Sequence, residues 1–217
     1  MQQYMRFYEG DSARNLSNAM YGLCTAPASI LKQHQEALQQ QLVPAFMAKA
    51  SAANAQDISN VMYGMAVSKQ RLPKESVQQL LSVFSGQLQQ ATPQAVANIV
   101  WAMATMEQHA SKGQLQQLLA AFVSMLQQAK PQEVTNMLWA VATMDQSVPV
   151  GQLQQLLAAF ASMLQHAAPQ AVSNMLWAVA TMEQKVPVGQ LQQMLDAFAN
   201  MLQQAKPQEV SNVLWAV

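Results

Sequence analysis

Asn136-Met137-Leu138-Trp139-Ala140 recurs on a fixed beat, and that beat decides the fold. Asn98-x-x-Trp101, Asn136-x-x-Trp139, Asn174-x-x-Trp177 and Asn212-x-x-Trp215 lie 38 residues apart, with Asn60-x-x-Tyr63 one period earlier. A constant period of this length marks stacked supersecondary units. Residues 130–167 and 168–205 are identical at 29 of 38 positions, which within one chain means duplication. The expected fold is all-α, a right-handed α-solenoid of tandem 38-residue helix-turn-helix repeats. Its expected layout is an N-terminal segment at 1–10, hairpins at about 11–53, 54–91, 92–129, 130–167 and 168–205, and part of a sixth at 206–217.

Each unit divides into two helical stretches. The first opens with proline at Pro93, Pro131, Pro169 and Pro207, where a missing N–H costs nothing because first-turn donors lack helical partners. Thr92 is a candidate N-cap, and Asn54 with Asp57 makes a near capping box in the repeat that has Ala55 in place of proline. A connection such as Ser147-Val148-Pro149-Val150-Gly151 leads to a second helix, Gln152 to about Gln165. In that class of helix Leu115, Leu118, Leu119, Phe122, Met125 and Leu126 form one apolar face, and glutamines fill the other. It should therefore form the outer layer.

The first helix is apolar over more than half its circumference through Val96, Ile99, Val100, Met103, Ala104 and Met106, so it should be the buried inner layer. Gly22, Gly64, Ala102, Ala140, Ala178 and Ala216 keep one position small, as close helix contact requires. The first repeat is irregular. Asn18-Ala19-Met20-Tyr21 precedes Asn60-Val61-Met62-Tyr63 by 42 residues, and Phe46 and Phe84 keep the period. Four extra residues therefore fall between Tyr21 and Phe46. The reading assigns them to a longer connection around Thr25-Ala26-Pro27-Ala28-Ser29.

Eleven basic and eleven acidic residues cancel, and charged residues are only 10% of the chain. Bulk charge gives no pull toward a polyanion. The single Cys24 cannot form an internal disulfide, which suits a reducing or organellar interior. No apolar run approaches the roughly 18 residues of a membrane span, and the first ten residues resemble no targeting segment. The repeat register asks for Ala-Thr-Met after Val217, so the array is expected to continue.

Candidate binding chemistry lies on the strip of the first helix left by the apolar arc. It reads Gln132, Thr135, Asn136, Trp139, Thr143 and Gln146 in one repeat, and Gln170, Ser173, Asn174, Trp177, Thr181 and Gln184 in the next. Asparagine carries two donors and two acceptor lone pairs, so Asn60, Asn98, Asn136, Asn174 and Asn212 can address the amides of nucleobases or of a peptide. Gln94, Gln132, Gln170 and Gln208 stand one turn earlier. The indoles offer faces for bases or arginines. The competing duties are structural: tryptophans packing between repeats, asparagines bonded to a neighbouring backbone, and methionines filling the core.

The repeats differ just before the asparagine, with Ser59, Ala97, Thr135, Ser173 and Ser211, and two positions earlier, with Asp57, Ala95, Glu133, Ala171 and Glu209. Variable side chains on a fixed frame are what one-base-per-repeat recognition uses, and drift at exposed sites gives the same pattern. Lys130 and Lys206 precede first helices and are candidate phosphate contacts beside helix N-termini. Lys69, Arg71, Lys74, His109, Lys112 and Lys185 sit in the other set of connections. No catalytic residue, metal site, cofactor or small-molecule substrate is expected: His34, His109 and His166 share no ligand spacing with Cys24, and no Gly-rich phosphate loop occurs.

The unit Pro131-Gln132-Glu133-Val134-Thr135-Asn136-Met137-Leu138-Trp139-Ala140-Val141-Ala142-Thr143-Met144 resembles the octotricopeptide repeat family, arrays of 38-residue helical hairpins. The resemblance covers residues 11–217, without the family's Pro-Pro-Pro-Glu-Trp signature or a carboxy-terminal accessory domain. It implies an α-solenoid in a chloroplast or mitochondrion that binds a particular RNA and supports its stability, processing or translation. The sequence therefore leads to a sequence-selective, single-stranded RNA-binding repeat protein without membrane association. The alternative is a protein-interaction scaffold that holds a peptide or docks on a large ribonucleoprotein.

Overall fold

The computed structural model describes residues 10–108 and 110–217; the expectations placed on residues 1–9 and on His109 lie outside them. Among the described residues every regular element is helical. The first helices of the hairpins are α1 (Ala13–Thr25), α4 (Ala55–Val67), α6 (Pro93–Thr105), α8 (Pro131–Thr143), α10 (Pro169–Thr181) and α12 (Pro207–Ala216). The second helices are α2 (Ala28–Ala37) with its continuation α3 (Val43–Ala48), then α5 (Lys74–Ser85), α7 (Lys112–Ser124), α9 (Val150–Ser162) and α11 (Val188–Asn200). The chain gathers into two compact units, Met1–Leu118 and Leu119–Val217.

Within each unit the layering follows the sequence. Consecutive first helices make the broadest contacts, α1 with α4 and α4 with α6 in one unit, α8 with α10 and α10 with α12 in the other. Ile58, Met62, Val96, Ile99 and Met103 are fully enclosed in the first unit, as are Val134, Met137, Leu138, Val172 and Met175 in the second. The second helices bury one face only. Leu115, Leu118, Leu119 and Phe122 are buried, whereas Gln116, Gln117, Ser124, Gln127 and Gln128 are exposed.

From the second repeat on, each first helix starts where the sequence places it, and the capping differs from repeat to repeat. Ser12 and Thr92 accept the N–H of Asn15 and Ala95 through their hydroxyl oxygens. Asn54 and Asp57 form the full reciprocal box. Lys130 and Lys206 have no side-chain acceptor to give, so only half a box forms: their backbone N–H groups donate to Glu133 at 2.9 Å and Glu209 at 2.8 Å. Ala168 before α10 has no side-chain cap. Ala168→Thr, which copies Thr92, is therefore expected to raise the unfolding free energy by about 1 kcal/mol in a denaturant titration. No gain would mean that water already serves those donors equally well.

Four of the first helices, α4, α6, α8 and α10, also end alike. Lys69, Glu107, Asp145 and Glu183 take positive φ of 52–56°. The following residues, Gln70, Gln108, Gln146 and Gln184, donate their N–H groups back to the carbonyls of Met65, Met103, Val141 and Val179. This is the Schellman ending, here without the glycine that usually occupies its left-handed position. One of these glutamines fastens two adjacent connections. Gln184 donates to the Val148 carbonyl at 2.6 Å and accepts from the Val148 N–H at 3.3 Å.

The extra four residues of the first repeat are not in a longer connection. Only Ala26 and Pro27 separate α1 from α2, whereas six residues separate α4 from α5. The added length is helical, with a π-helical stretch at Leu38–Leu42 in which the Val43 N–H reaches the Leu38 carbonyl. Pro44 follows within the continuing helix. Proline has no N–H and crowds the carbonyl four residues back, a clash that a widened turn relieves. The phase shift brings Leu38, Leu42, Val43 and Phe46 to the interior together.

The outer helices also end earlier than their pattern suggests. α9 stops at Ser162, and Leu164–His166 continues as a 3-10 turn.

Candidate nucleic-acid interface

The strip is built by two side chains one turn apart on the same helix. Residues at i and i+4 face each other on a helix surface, which brings the glutamine amide against the asparagine amide. Gln56 donates to the Asn60 carbonyl oxygen at 2.7 Å, Gln132 to that of Asn136 at 2.7 Å, and Gln208 to that of Asn212 at 3.0 Å. One Asn acceptor is thereby engaged within its own helix. In these three pairs the Asn amino group keeps its donors and the Gln carbonyl its acceptor capacity beyond the shared bond. Gln94, Gln132, Gln170 and Gln208 are exposed, and Asn60, Asn98, Asn136, Asn174 and Asn212 are half-buried.

Next on the same face come the aromatic rings. In the first unit Tyr21 stacks on Tyr63 with centroids 6.3 Å apart, and Tyr63 lies 5.3 Å from Trp101. In the second unit Trp139 and Trp177 are 6.3 Å apart, and Trp177 and Trp215 6.4 Å, with planes tilted by about 35°. Trp101, Trp139 and Trp177 are half-buried, so each ring both packs against a neighbouring repeat's ring and keeps part of its surface in solvent. Burial, with the Tyr21 phenol beside it, pushes the Tyr63 hydroxyl above its ordinary pKa.

The residues that vary from repeat to repeat stand elsewhere. Thr135 and Ser173 are fully buried, as are Ser17, Ser59 and Ala97 at the equivalent position. Thr135 donates to the Pro131 and Gln132 carbonyls and Ser173 to that of Gln170, within their own helices. The expectation that these hydroxyls contact a ligand is corrected here: the next first helix covers them. Ser17 shows what lies on that side, since its hydroxyl donates to Asp57 on α4. Ser211 is exposed on α12, with its hydroxyl on the Pro207 carbonyl. The variable acidic position is explained by capping, as Asp57, Glu133 and Glu209 serve the N-cap N–H groups.

Lys130 and Lys206 are exposed at the starts of α8 and α12. Their own N–H groups, however, are taken by Glu133 and Glu209, so carboxylates of the chain occupy the place where an anion would meet those helix ends. The two ammonium groups remain as point charges.

One residue that the sequence reading passed over joins the strip. Arg14 on α1 stands at the position that is glutamine in every later repeat, four residues before Asn18 and seven before Tyr21, and all three are exposed. Aligning the first repeat at its offset of 42 rather than 38 reveals it.

Cys24 is buried against Gly64 and Met65. Burial pushes its thiol up, and a hydrogen bond with Ser68 pulls more weakly the other way, so it is no thiolate nucleophile at neutral pH. Among the described residues no three His, Cys, Asp or Glu side chains come together to share a metal ion, and no helix is long and apolar enough to cross a membrane.

These features define an all-α protein of tandem helical hairpins that carries a repeated amide and aromatic row on its inner helices. No protein-family model matches the chain, and no curated protein matches it significantly.

Proposed function

We propose that this chain is a single-stranded RNA-binding helical repeat protein, a right-handed α-solenoid of the octotricopeptide repeat type. It would act on organellar RNA, in its stability, processing or translation, in a chloroplast or mitochondrion. The observation that carries the reading is the row itself: on one inner-helix face, exposed Gln and half-buried Asn amides stand one turn apart beside a partly exposed ring. Unstacked bases offer two kinds of surface, a hydrogen-bonding edge and a π-face, and single-strand readers address both. The amide pair suits the edge and the indole suits the face. Exposed Arg14, Lys130 and Lys206 would supply phosphate contacts. The reading assigns the chain no catalysis.

The second reading, a protein-interaction scaffold, has its own support. The net charge is zero, and the helix N-termini at Lys130 and Lys206 are occupied by Glu133 and Glu209. An extended peptide also presents alternating amide donors and acceptors.

Fluorescence anisotropy with a random pool of labelled 20-nucleotide single-stranded RNAs at low salt separates the two. The RNA reading expects saturable binding that weakens as salt rises, with a log–log slope of about 0.7 per phosphate contacted. Trp177→Ala should weaken binding about tenfold or more, from the roughly 1–3 kcal/mol of a base–aromatic stack, with circular dichroism verifying the fold. The RNA reading is lost if the pool does not bind at low salt, or if Asn136→Ala and Asn174→Ala together leave binding untouched. Competition by a degenerate peptide library in that event selects the scaffold.

A further inference from the structure

In the second unit each complete row presents the same side chains. Gln132, Asn136 and Trp139 on α8 are repeated by Gln170, Asn174 and Trp177 on α10 and by Gln208, Asn212 and Trp215 on α12. Thr143 and Thr181 continue the first two rows, the former exposed and the latter half-buried with its hydroxyl enclosed. What differs between α8 and α10 at the neighbouring positions does not reach a ligand: Thr135 and Ser173 are enclosed, and Glu133 is engaged in capping Lys130. A reader that distinguishes one base from another at successive positions needs successive side chains that differ, because specificity is a difference of affinities between alternatives at each position.

We infer that the second unit recognises a run of like nucleotides, and not an irregular sequence. The inference rests on the RNA reading above and narrows it to a substrate class. Three rows of the same residue types, Gln, Asn and Trp, place like demands on three successive bases, with Trp215 and Ser211 more open on α12 than their counterparts on α8 and α10. Whichever base satisfies one row best satisfies all of them. A preference of about fivefold at each row exceeds about tenfold once two rows are satisfied; the rings of neighbouring rows stand 6.3 and 6.4 Å apart, so the rows act as a coupled set and the full product is not required. The uniform row also removes any fixed register, so the chain can occupy a homopolymer at many overlapping positions. The first unit departs from this uniformity, with Arg14 for glutamine and with Tyr21 and Tyr63 for tryptophan; it contributes charge and stacking at its own end.

The test is anisotropy with the full chain and labelled 12-nucleotide probes: oligo(rA), oligo(rU), oligo(rC) and a set of mixed sequences of the same length. The expected result is that one homopolymer binds at least tenfold more tightly than every mixed sequence. Gln170→Glu, which makes the middle row unlike its neighbours, should remove most of that advantage. The inference is overturned if a mixed sequence outcompetes every homopolymer, or if all probes bind within twofold of one another. Loss of binding to every probe and to the random pool alike removes the RNA reading itself, and so is distinct from binding that is tight but favours a mixed sequence.

Discussion

Phe160→Ala is expected to lower the unfolding free energy by about 3–5 kcal/mol, the usual cost of truncating an enclosed phenylalanine. Phe46, Phe84, Phe122 and Phe160 return every 38 residues and are each 0% exposed, so the ring is the recurrent anchor of the outer helix. Around Phe160, α9 meets α8, α11 and the 3-10 turns at Leu126–Gln128 and Leu164–His166. The outer helix has one apolar face and the rest is glutamine, so Leu153, Leu156 and Leu157 provide its only other deep burial. With the ring removed, the hairpin of α8 and α9 keeps its inner helix contacts and loses its lid. Repeats touch only their neighbours and their stabilities combine as local terms; the transition should therefore broaden as well as move. Urea titration read by circular dichroism gives both quantities. Gln154→Ala on the exposed face is the control and should stay within about 0.5 kcal/mol of the parent. A loss below about 1 kcal/mol for Phe160→Ala would mean that α9 is not seated through this ring.

How far the sequence foretold this arrangement depends on the kind of physics involved. The period, the prolines at helix starts and the one-faced or many-faced apolar patterns are properties of single helices, and they located the hairpins and the inner and outer layers. Thr135 and Ser173 were misplaced because a helical projection says which residues share a face, not which part of that face a neighbouring helix will cover. One step of about 100° separates half-exposed Asn136 from enclosed Thr135, and only the packing of α8 on α10 decides between them. Glu133 and Glu209 read in the sequence as code or drift and not as caps, since a lysine N-cap hides the box that Asn54 and Asp57 display openly. The left-handed endings at Lys69, Glu107, Asp145 and Glu183 lack the glycine or asparagine that would announce them. The first repeat's π-helical stretch was hidden for a related reason: four extra residues near a Pro-containing patch read as a loop, whereas the interior needed Leu38, Leu42 and Phe46 in one phase.

The close approach of the inner helices sets the spacing of the amide and aromatic row, and Gly64 stands at one such approach. A Cβ built there would lie 3.1 Å from the Cys24 Cβ and 3.5 Å from the Tyr21 Cα, so α1 and α4 cross with no room for a larger side chain. Ala102, Ala140 and Ala178 keep the same position small in later repeats, each fully buried. Gly64→Leu drives a branched side chain into this seam, and overpacking of a filled core costs about 1–3 kcal/mol and occasionally more. The tight contact is the Cys24 Cβ, which is fixed directly to the α1 backbone, so relief requires the helix to move, and the upper end of that range is expected. Replacing a helical glycine returns up to about 1 kcal/mol of helix propensity, which leaves a net loss of about 2 kcal/mol. Gly22 lies one repeat earlier with nothing within 4 Å of its Cβ position. Gly22→Ala therefore gains the propensity alone and should stabilise the protein by about 0.5–1 kcal/mol, separating the steric effect from the backbone effect. The displacement should also part Tyr21 from Tyr63, now stacked at 6.3 Å, and so alter their near-ultraviolet dichroism. If Gly64→Leu unfolds at the parent's denaturant midpoint with an unchanged tyrosine signal, α1 does not pack on α4 through this glycine, and the first row of the strip is not held in register with the second.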